Sequence, residues 1–235
     1  MPRDAVTTPH SRARRARRGR PPQTPEQADE VRARIVLAAA DVFTAHGSRG
    51  LSVARIIDRA GLARPTFYRY FANAEAPLHV LLTASNEGLV GGIREALENS
   101  DEPVQLGIGI IDAYLDWARG HGAMLRPVFA ELHDPASPVS TYREEAFDDI
   151  RALVRAKFAD LGRPLPSPLD LDTALQVCEF VVYRVSAAAA PGGEPRPEEV
   201  AAARLTMIRS VLVTLGRRED VELALTIPGI FEPAG

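Results

Sequence analysis

Between Gly61 and Phe71 the chain reads Gly-Leu-Ala-Arg-Pro-Thr-Phe-Tyr-Arg-Tyr-Phe, a set of side chains suited to contacting a nucleic-acid duplex. Arg64 and Arg69 carry planar forks that can donate two parallel hydrogen bonds to guanine O6 and N7. Thr66 can meet a thymine methyl or a phosphate. The hydroxyls of Tyr68 and Tyr70 suit phosphate oxygens, contacts that fix register rather than sequence; plain packing of either tyrosine remains open. Ser52 stands at the start of another short apolar-faced segment, where free N–H groups favour a phosphate. Such chemistry needs a short helix with one buried face. Phe67 and Phe71 are four residues apart and share that face, which leaves Thr66, Arg69 and Tyr70 pointing outward with Tyr68 at the flank.

Other chemistries find little support. The histidines are His10, His46, His79, His121 and His133, with no HxxxH or HExxH spacing. A single cysteine, Cys178, can close no disulfide within the chain and build no thiolate metal site, and no basic neighbour lowers its pKa. Gly88, Gly91 and Gly92, like Gly107 and Gly109, fall inside helical patterns rather than in a phosphate-cradling loop. The expectation is therefore no catalytic residue, no metal, no cofactor and no enzyme activity. No apolar run approaches the roughly 20 residues of a membrane span, and no apolar segment follows the basic N-terminus as in a signal peptide. With the cysteine usage, this reads as a cytoplasmic protein.

The elements that would position Arg64 to Tyr70 are legible upstream. Thr24-Pro25-Glu26-Gln27 combines a cap, a first-turn proline and a capping-box glutamine. Val31, Ile35, Ala39, Val42 and Phe43 then recur at helical spacing as far as His46, with Gly47 expected as a left-handed cap. Ser52 begins a second, short helix with Val53, Ile56, Ile57 and Ala60 on its apolar face. Gly61 breaks it, and Pro65 starts the third helix. One longer helix followed by two short ones across a glycine turn is a helix-turn-helix pattern. Downstream, helices are expected over 75–99, 103–120, 122–133, 138–161, 169–190 and 197–216, separated by Pro/Gly-rich breaks, with no period-2 strand signal. The apolar stripes of the last two (Leu171, Leu175, Cys178, Val181, Val182, Val185; Val200, Ala203, Leu205, Ile208, Val211, Leu212, Leu215) read either as monomer core or as a dimer interface.

Charge separates the same regions. The chain carries −3 overall, yet residues 1–72 hold 14 arginines against 6 acidic residues, and the remainder holds 14 basic against 25 acidic residues. A head of net +8 on a body of net −11 confines a polyanion-binding surface to the first third. Residues 1–24 lack apolar periodicity and read as a disordered basic arm. Within it Arg18-Gly19-Arg20-Pro21 resembles an AT-hook core, in which arginines enter a narrow minor groove. Nonspecific phosphate attraction and a merely solubilising tail remain alternatives.

The 61–71 segment, with Ala39-Ala40-Asp41-Val42-Phe43, Gly47, Leu51-Ser52-Val53 and Ile56, resembles the DNA-binding domain of the TetR family of transcriptional regulators. The resemblance covers roughly residues 30–82. It implies DNA contacts from Arg64, Pro65, Thr66, Tyr68, Arg69 and Tyr70. Two positions depart from it: Ala74 replaces a lysine that follows the recognition helix, and Ala63 replaces a Ser-type cap, at a cost of about 0.5–2 kcal/mol. The implied fold is all-α, with a basic arm over 1–24, a three-helix helix-turn-helix domain over 25–72 and a helical ligand-binding and dimerisation domain over 73–235. The implied function is a homodimeric repressor on a pseudo-palindromic double-stranded operator, released by a small apolar or amphipathic effector. An activator, or a ligand-independent DNA-organising protein, is the alternative. Trp117, Phe129, His133, Phe147 and Tyr183 are the expected effector contacts. Glu179 and Arg184 are the ionisable groups expected half-buried on their helix, unless Arg184 pairs across the dimer.

Overall fold

A computed structural model describes residues 24–188 and 193–231, and every regular element among them is helical. Arg18 and Arg20, with the rest of the expected arm as far as residue 23, lie outside the described residues.

Helix α1 (Pro25–His46) begins as its sequence dictates. Thr24 Oγ1 accepts from the Gln27 N–H at 3.3 Å, and Gln27 Oε1 accepts from the Thr24 N–H at 3.2 Å. Its end differs from expectation. Gly47 takes φ 65°, ψ −176° rather than the left-handed cap conformation, a region open essentially to glycine alone. From there the chain drops into a 3₁₀ turn, Ser48–Gly50. Helix α2 (Val53–Ala60) is capped by Ser52, whose hydroxyl accepts from the Arg55 N–H at 3.4 Å. Gly61 (φ 62°, ψ 42°) does adopt the left-handed conformation that ends α2 and turns the chain into α3, Arg64–Tyr70. No side chain caps α3 at Ala63.

The body comprises α4 (Glu75–Glu98), α5 (Pro103–His121), α6 (Leu125–Glu131), α7 (Pro138–Asp160), α8 (Pro168–Ala188), α9 (Pro197–Leu215) and α10 (Arg218–Leu225). The single helix expected over 122–133 is instead a 3₁₀ turn, Gly122–Met124, followed by the short α6. Gly122 at φ 48° breaks the run from α5. The sequence reading passed over α10, whose N-terminus is fixed by the Asp220 carboxylate accepting from the Arg217 N–H at 2.7 Å. Among the described residues no helix is long and apolar enough to cross a membrane.

Apolar side chains gather in two clusters. Ile35, Ala38, Ala39, Val42, Ile56, Ala60, Phe67 and Phe71 form the smaller. The larger runs through α4–α10 and takes in Phe43, so α1 packs against both. α4 packs against α5 and α7, and α8 against α9. The apolar stripes of α8 and α9 turn into the subunit: Leu171, Cys178, Val182, Ala203, Ile208, Val211 and Leu212 are buried. The large apolar side chains left at the surface of these two helices are Leu169, Phe180, Tyr183 and Val213.

Candidate functional site

Phe67 and Phe71 anchor α3 from below. Phe67 is 0% and Phe71 6% exposed, with ring centroids 6.0 Å apart. Their burial leaves Arg64, Pro65, Tyr68 and Arg69 exposed, and Thr66 and Tyr70 half-buried. Tyr68 is thus more outward than the spacing suggested, and Tyr70 less. The helical period explains the exchange: Tyr70 is three residues from Phe67 and leans on the small cluster, whereas Tyr68 is four residues from Arg64 on the solvent side. Arg64 Nη2 donates to the Tyr68 hydroxyl at 3.3 Å, and the Arg64 guanidinium lies 5.7 Å from the Tyr68 ring centre. The Ser52 hydroxyl is half-buried and occupied as the α2 cap.

Sequence reasoning missed two supports of this surface. Arg32 of α1 lies 5.4 Å over the Phe71 ring. Asn73 caps the start of α4, its Oδ1 accepting from the Glu75 and Ala76 N–H groups at 3.1 and 2.9 Å. Asparagine ahead of an apolar-periodic run is a cap signal, and it was legible beside Ala74.

In the body the arrangement is inverted, with an ion pair at the centre and aromatics further out. Glu179 of α8 is 8% exposed. Its carboxylate accepts from Arg143 Nε at 2.6 Å and Nη2 at 3.3 Å. The Arg143 guanidinium lies 4.3 Å over the Phe147 ring. His133 Nε2 stands 3.6 Å from Glu179 Oε1. Phe129 meets Tyr183 edge-on, with centroids 5.8 Å apart. Trp117 joins through Tyr114, on which it stacks at 5.4 Å, while its indole N–H donates to the Ser85 carbonyl and hydroxyl at 3.1 and 3.2 Å. Burial, then the nearby Glu179 carboxylate, pushes the Tyr114 hydroxyl well above its usual range. Phe147 and His133 therefore touch the buried pair, whereas Phe129 and Tyr183 meet each other and Trp117 meets Tyr114. Glu179 is more deeply buried than expected, whereas Arg184 is exposed.

The sequence reading missed Arg143. Tyr142-Arg143-Glu144-Glu145 looks like a solvated helix face, and only the i, i+4 relation of Arg143 to Phe147 hints otherwise. Cys178 lies nearby and its thiol is pushed up to about 12 by burial, so it is no nucleophile at neutral pH. A separate apolar cavity of about 50 Å³ lies at the other end of the body, between Leu97, Leu106, Val154, Phe158, Val211 and Leu212. None of the five expected effector contacts lines it.

Comparison with known proteins agrees with the α1–α3 geometry. Residues 35–76 match the family model described as bacterial regulatory proteins, tetR family. The HTH-type transcriptional activator FasR of Mycolicibacterium smegmatis is 28% identical over 101 residues, 43% of this chain; the match spans 46% of that relative's length, less than half. FadR, the fatty acid degradation regulator of Bacillus halodurans, superposes with a TM-score of 0.62 at 19% identity, over 84% of this chain and 98% of its own. SmeT, which represses a Stenotrophomonas maltophilia multidrug efflux pump, superposes in its triclosan complex with a TM-score of 0.52 at 21% identity, over 88% of this chain and 96% of its own. At these identities the two structural likenesses speak to the fold. The family match falls on residues 35–76, which build the three-helix unit, and this part of the chain is similar to the N-terminal unit of bacterial regulatory proteins of the tetR family.

Proposed function

We propose that the chain is a homodimeric repressor, acting in the cytoplasm, that binds a pseudo-palindromic operator through α3 and leaves it when a small apolar or amphipathic effector enters the body. The observation that carries this reading is the outward presentation of Arg64 and Arg69 over the buried Phe67–Phe71 anchor. The unit is proposed to end near residue 72, with residues 73–235 for sensing and dimerisation. The dimer is supported by Phe180 and Val213, 61% and 65% exposed on α8 and α9, since large apolar patches on such helices mark interaction surfaces. The effector reading rests on the buried Arg143–Glu179 pair beside Phe147 and His133, with Trp117, Phe129, His133, Phe147 and Tyr183 as the proposed contacts. Pockets that are mostly apolar with a few polar groups fit amphipathic ligands. FadR is named for fatty acid degradation and SmeT has been seen with triclosan, both consistent with such a ligand. The arm, with Arg18 and Arg20, adds attraction to phosphates or enters the minor groove.

Selection of duplexes from a random library by the full chain tests this. Two half-sites related by two-fold symmetry are expected, with centres roughly 34–36 Å apart. Arg69→Ala should relax preference at one base position per half-site, at about 1–3 kcal/mol, with stability unchanged within ~0.5 kcal/mol. Equal affinity for all sequences would instead indicate a DNA-organising protein, and enrichment of lone half-sites would remove the dimer. A second reading, activation, is favoured by the FasR relative, which is named an activator. A reporter driven by the selected operator decides the sign.

A further inference from the structure

The short α6 and the turn after it touch both halves of the molecule. Glu131, the last residue of α6, accepts the Ser48 backbone N–H on Oε1 at 2.8 Å and the Ser137 hydroxyl on Oε2 at 2.6 Å. Ser48 opens the 3₁₀ turn between α1 and α2. Ser137 is the buried N-cap of α7, its hydroxyl also accepting from the Val139 N–H at 3.2 Å. One carboxylate therefore ties the DNA-reading helices, α6 and α7 together. The turn is shaped to admit it. A Cβ built on Gly47 would lie 2.6 Å from Glu131 Oε1, so a side chain there would push the carboxylate away. A second tie, Arg49 to Asp134 at 3.1 Å, holds weakly because the arginine side chain is 86% exposed. On the same stretch Phe129 and His133 reach Tyr183 and Glu179 of α8.

We infer that Glu131 is an interdomain latch. It is a positioning residue that holds α1–α3 at one attitude to the body, and displacement of residues 125–137 from the α8 side withdraws its carboxylate from Ser48. This rests on the reading that an effector enters beside α6–α8 and lowers DNA affinity. Bonds to an ionised acceptor are shorter and stronger than neutral ones, so the Ser48 contact favours one arrangement when made and another when exchanged for water. Two discrete arrangements of this kind are what a coupling between sites requires.

Hydrogen exchange followed by mass spectrometry on the full chain tests the latch, with Glu131→Ala, Glu131→Gln and Ser48→Pro compared to wild type. Ser48→Pro removes the donor while leaving the carboxylate in place, so one variant remains should the other fail to fold. Glutamine keeps a neutral acceptor for Ser48 but loses the oxygen that accepts from the Ser137 hydroxyl. Exchange across 49–61 should rise about tenfold in Glu131→Ala and Ser48→Pro, with α8 unchanged. Affinity for the selected operator should fall about tenfold in the same two variants, within the usual range of intersite coupling. Glu131→Gln, with a neutral acceptor for Ser48, should fall between wild type and Glu131→Ala in both. Unchanged exchange over 49–61, an equal rise through α7 and α8, or faster exchange with undiminished operator affinity would each overturn the latch. If no operator can be selected, the exchange result still decides the latch, and the DNA-binding reading alone falls.

Discussion

The α3 surface and the centre of the body are built from similar side chains turned opposite ways. On α3 the aromatics Phe67 and Phe71 are buried and the arginines face solvent. Between α7 and α8, the Arg143 and Glu179 side chains are buried, with the Phe147 ring under the guanidinium. The energetic consequences differ. Exposed arginines contribute little to folding and stand within reach of a polyanion. A buried pair adds little net stability when intact but is costly to break, because either partner alone is a stranded charge. The DNA side should therefore tolerate loss of its functional residues and fail on loss of its anchors. The body should fail on loss of the polar residues at its centre.

The largest effect expected from this contrast is at Phe67, which is 0% exposed in a cluster of eight buried residues. Phe67→Ala should cost about 3–5 kcal/mol, which a cluster that small cannot absorb. Thermal melting followed by far-UV circular dichroism should show α1–α3 lost at lower temperature while the body melts near its wild-type temperature. DNA binding should vanish. A single shifted transition, with both halves melting together, would show that the two clusters fold as one unit through α1.

On the body side Arg143→Ala should cost about 3–5 kcal/mol by stranding Glu179, whereas the paired replacement Arg143→Met with Glu179→Leu should be neutral or stabilising. Chemical denaturation of the two variants measures the difference. If the single variant costs under about 1 kcal/mol, water reaches Glu179, and the two regions differ less than their burial suggests.

The same contrast explains what could be read from the chain alone. The helix-turn-helix is local: its caps, its glycine turn at Gly61 and the Phe67–Phe71 spacing all lie within 50 consecutive residues, so the fold there and the exposed Arg64 and Arg69 follow from order and period. The rest of the site is assembled across distance. Arg143 and Glu179 are 36 residues apart, and Glu131 and Ser48 83 apart. No window of sequence shows that Glu131 needs a partner near Gly47, nor that an arginine among glutamates turns inward. The aromatics were legible as a set because they are few, although spacing could not show which of them touch the ion pair. The stripes of α8 and α9 left two readings open for a related reason. A wide apolar face signals burial without saying whether the same chain or a second copy covers it, and here α5 and the facing helix of the pair cover most of it.

The smallest expected effect concerns acid. Burial alone would raise the Asp220 carboxyl, but the hydrogen bonds from Arg163 and the Arg217 N–H, with both guanidinium charges, outweigh it and hold the group below its ordinary 3.8. Protons therefore bind the unfolded chain more readily than the folded one. The stabilisation is fully present above about pH 4, where the unfolded carboxyl is ionised, and is lost as pH falls through the lower folded value. One group can contribute at most about 1.4 kcal/mol per pH unit. Asp220→Asn should flatten the acid limb of stability against pH by a fraction of that, with the slopes at pH 6–8 unchanged. The corresponding ion pair of the three-helix unit, Arg59–Asp41, has side chains 62% and 53% exposed, so solvent screens it. Trp117 is the sole tryptophan and lies in the body, so its fluorescence reports that half. In acid titration its signal should shift before the α1–α3 amides lose protection, and Asp220→Asn should narrow the gap. A gap that is equal in both proteins would mean that acid acts on the body through groups other than Asp220.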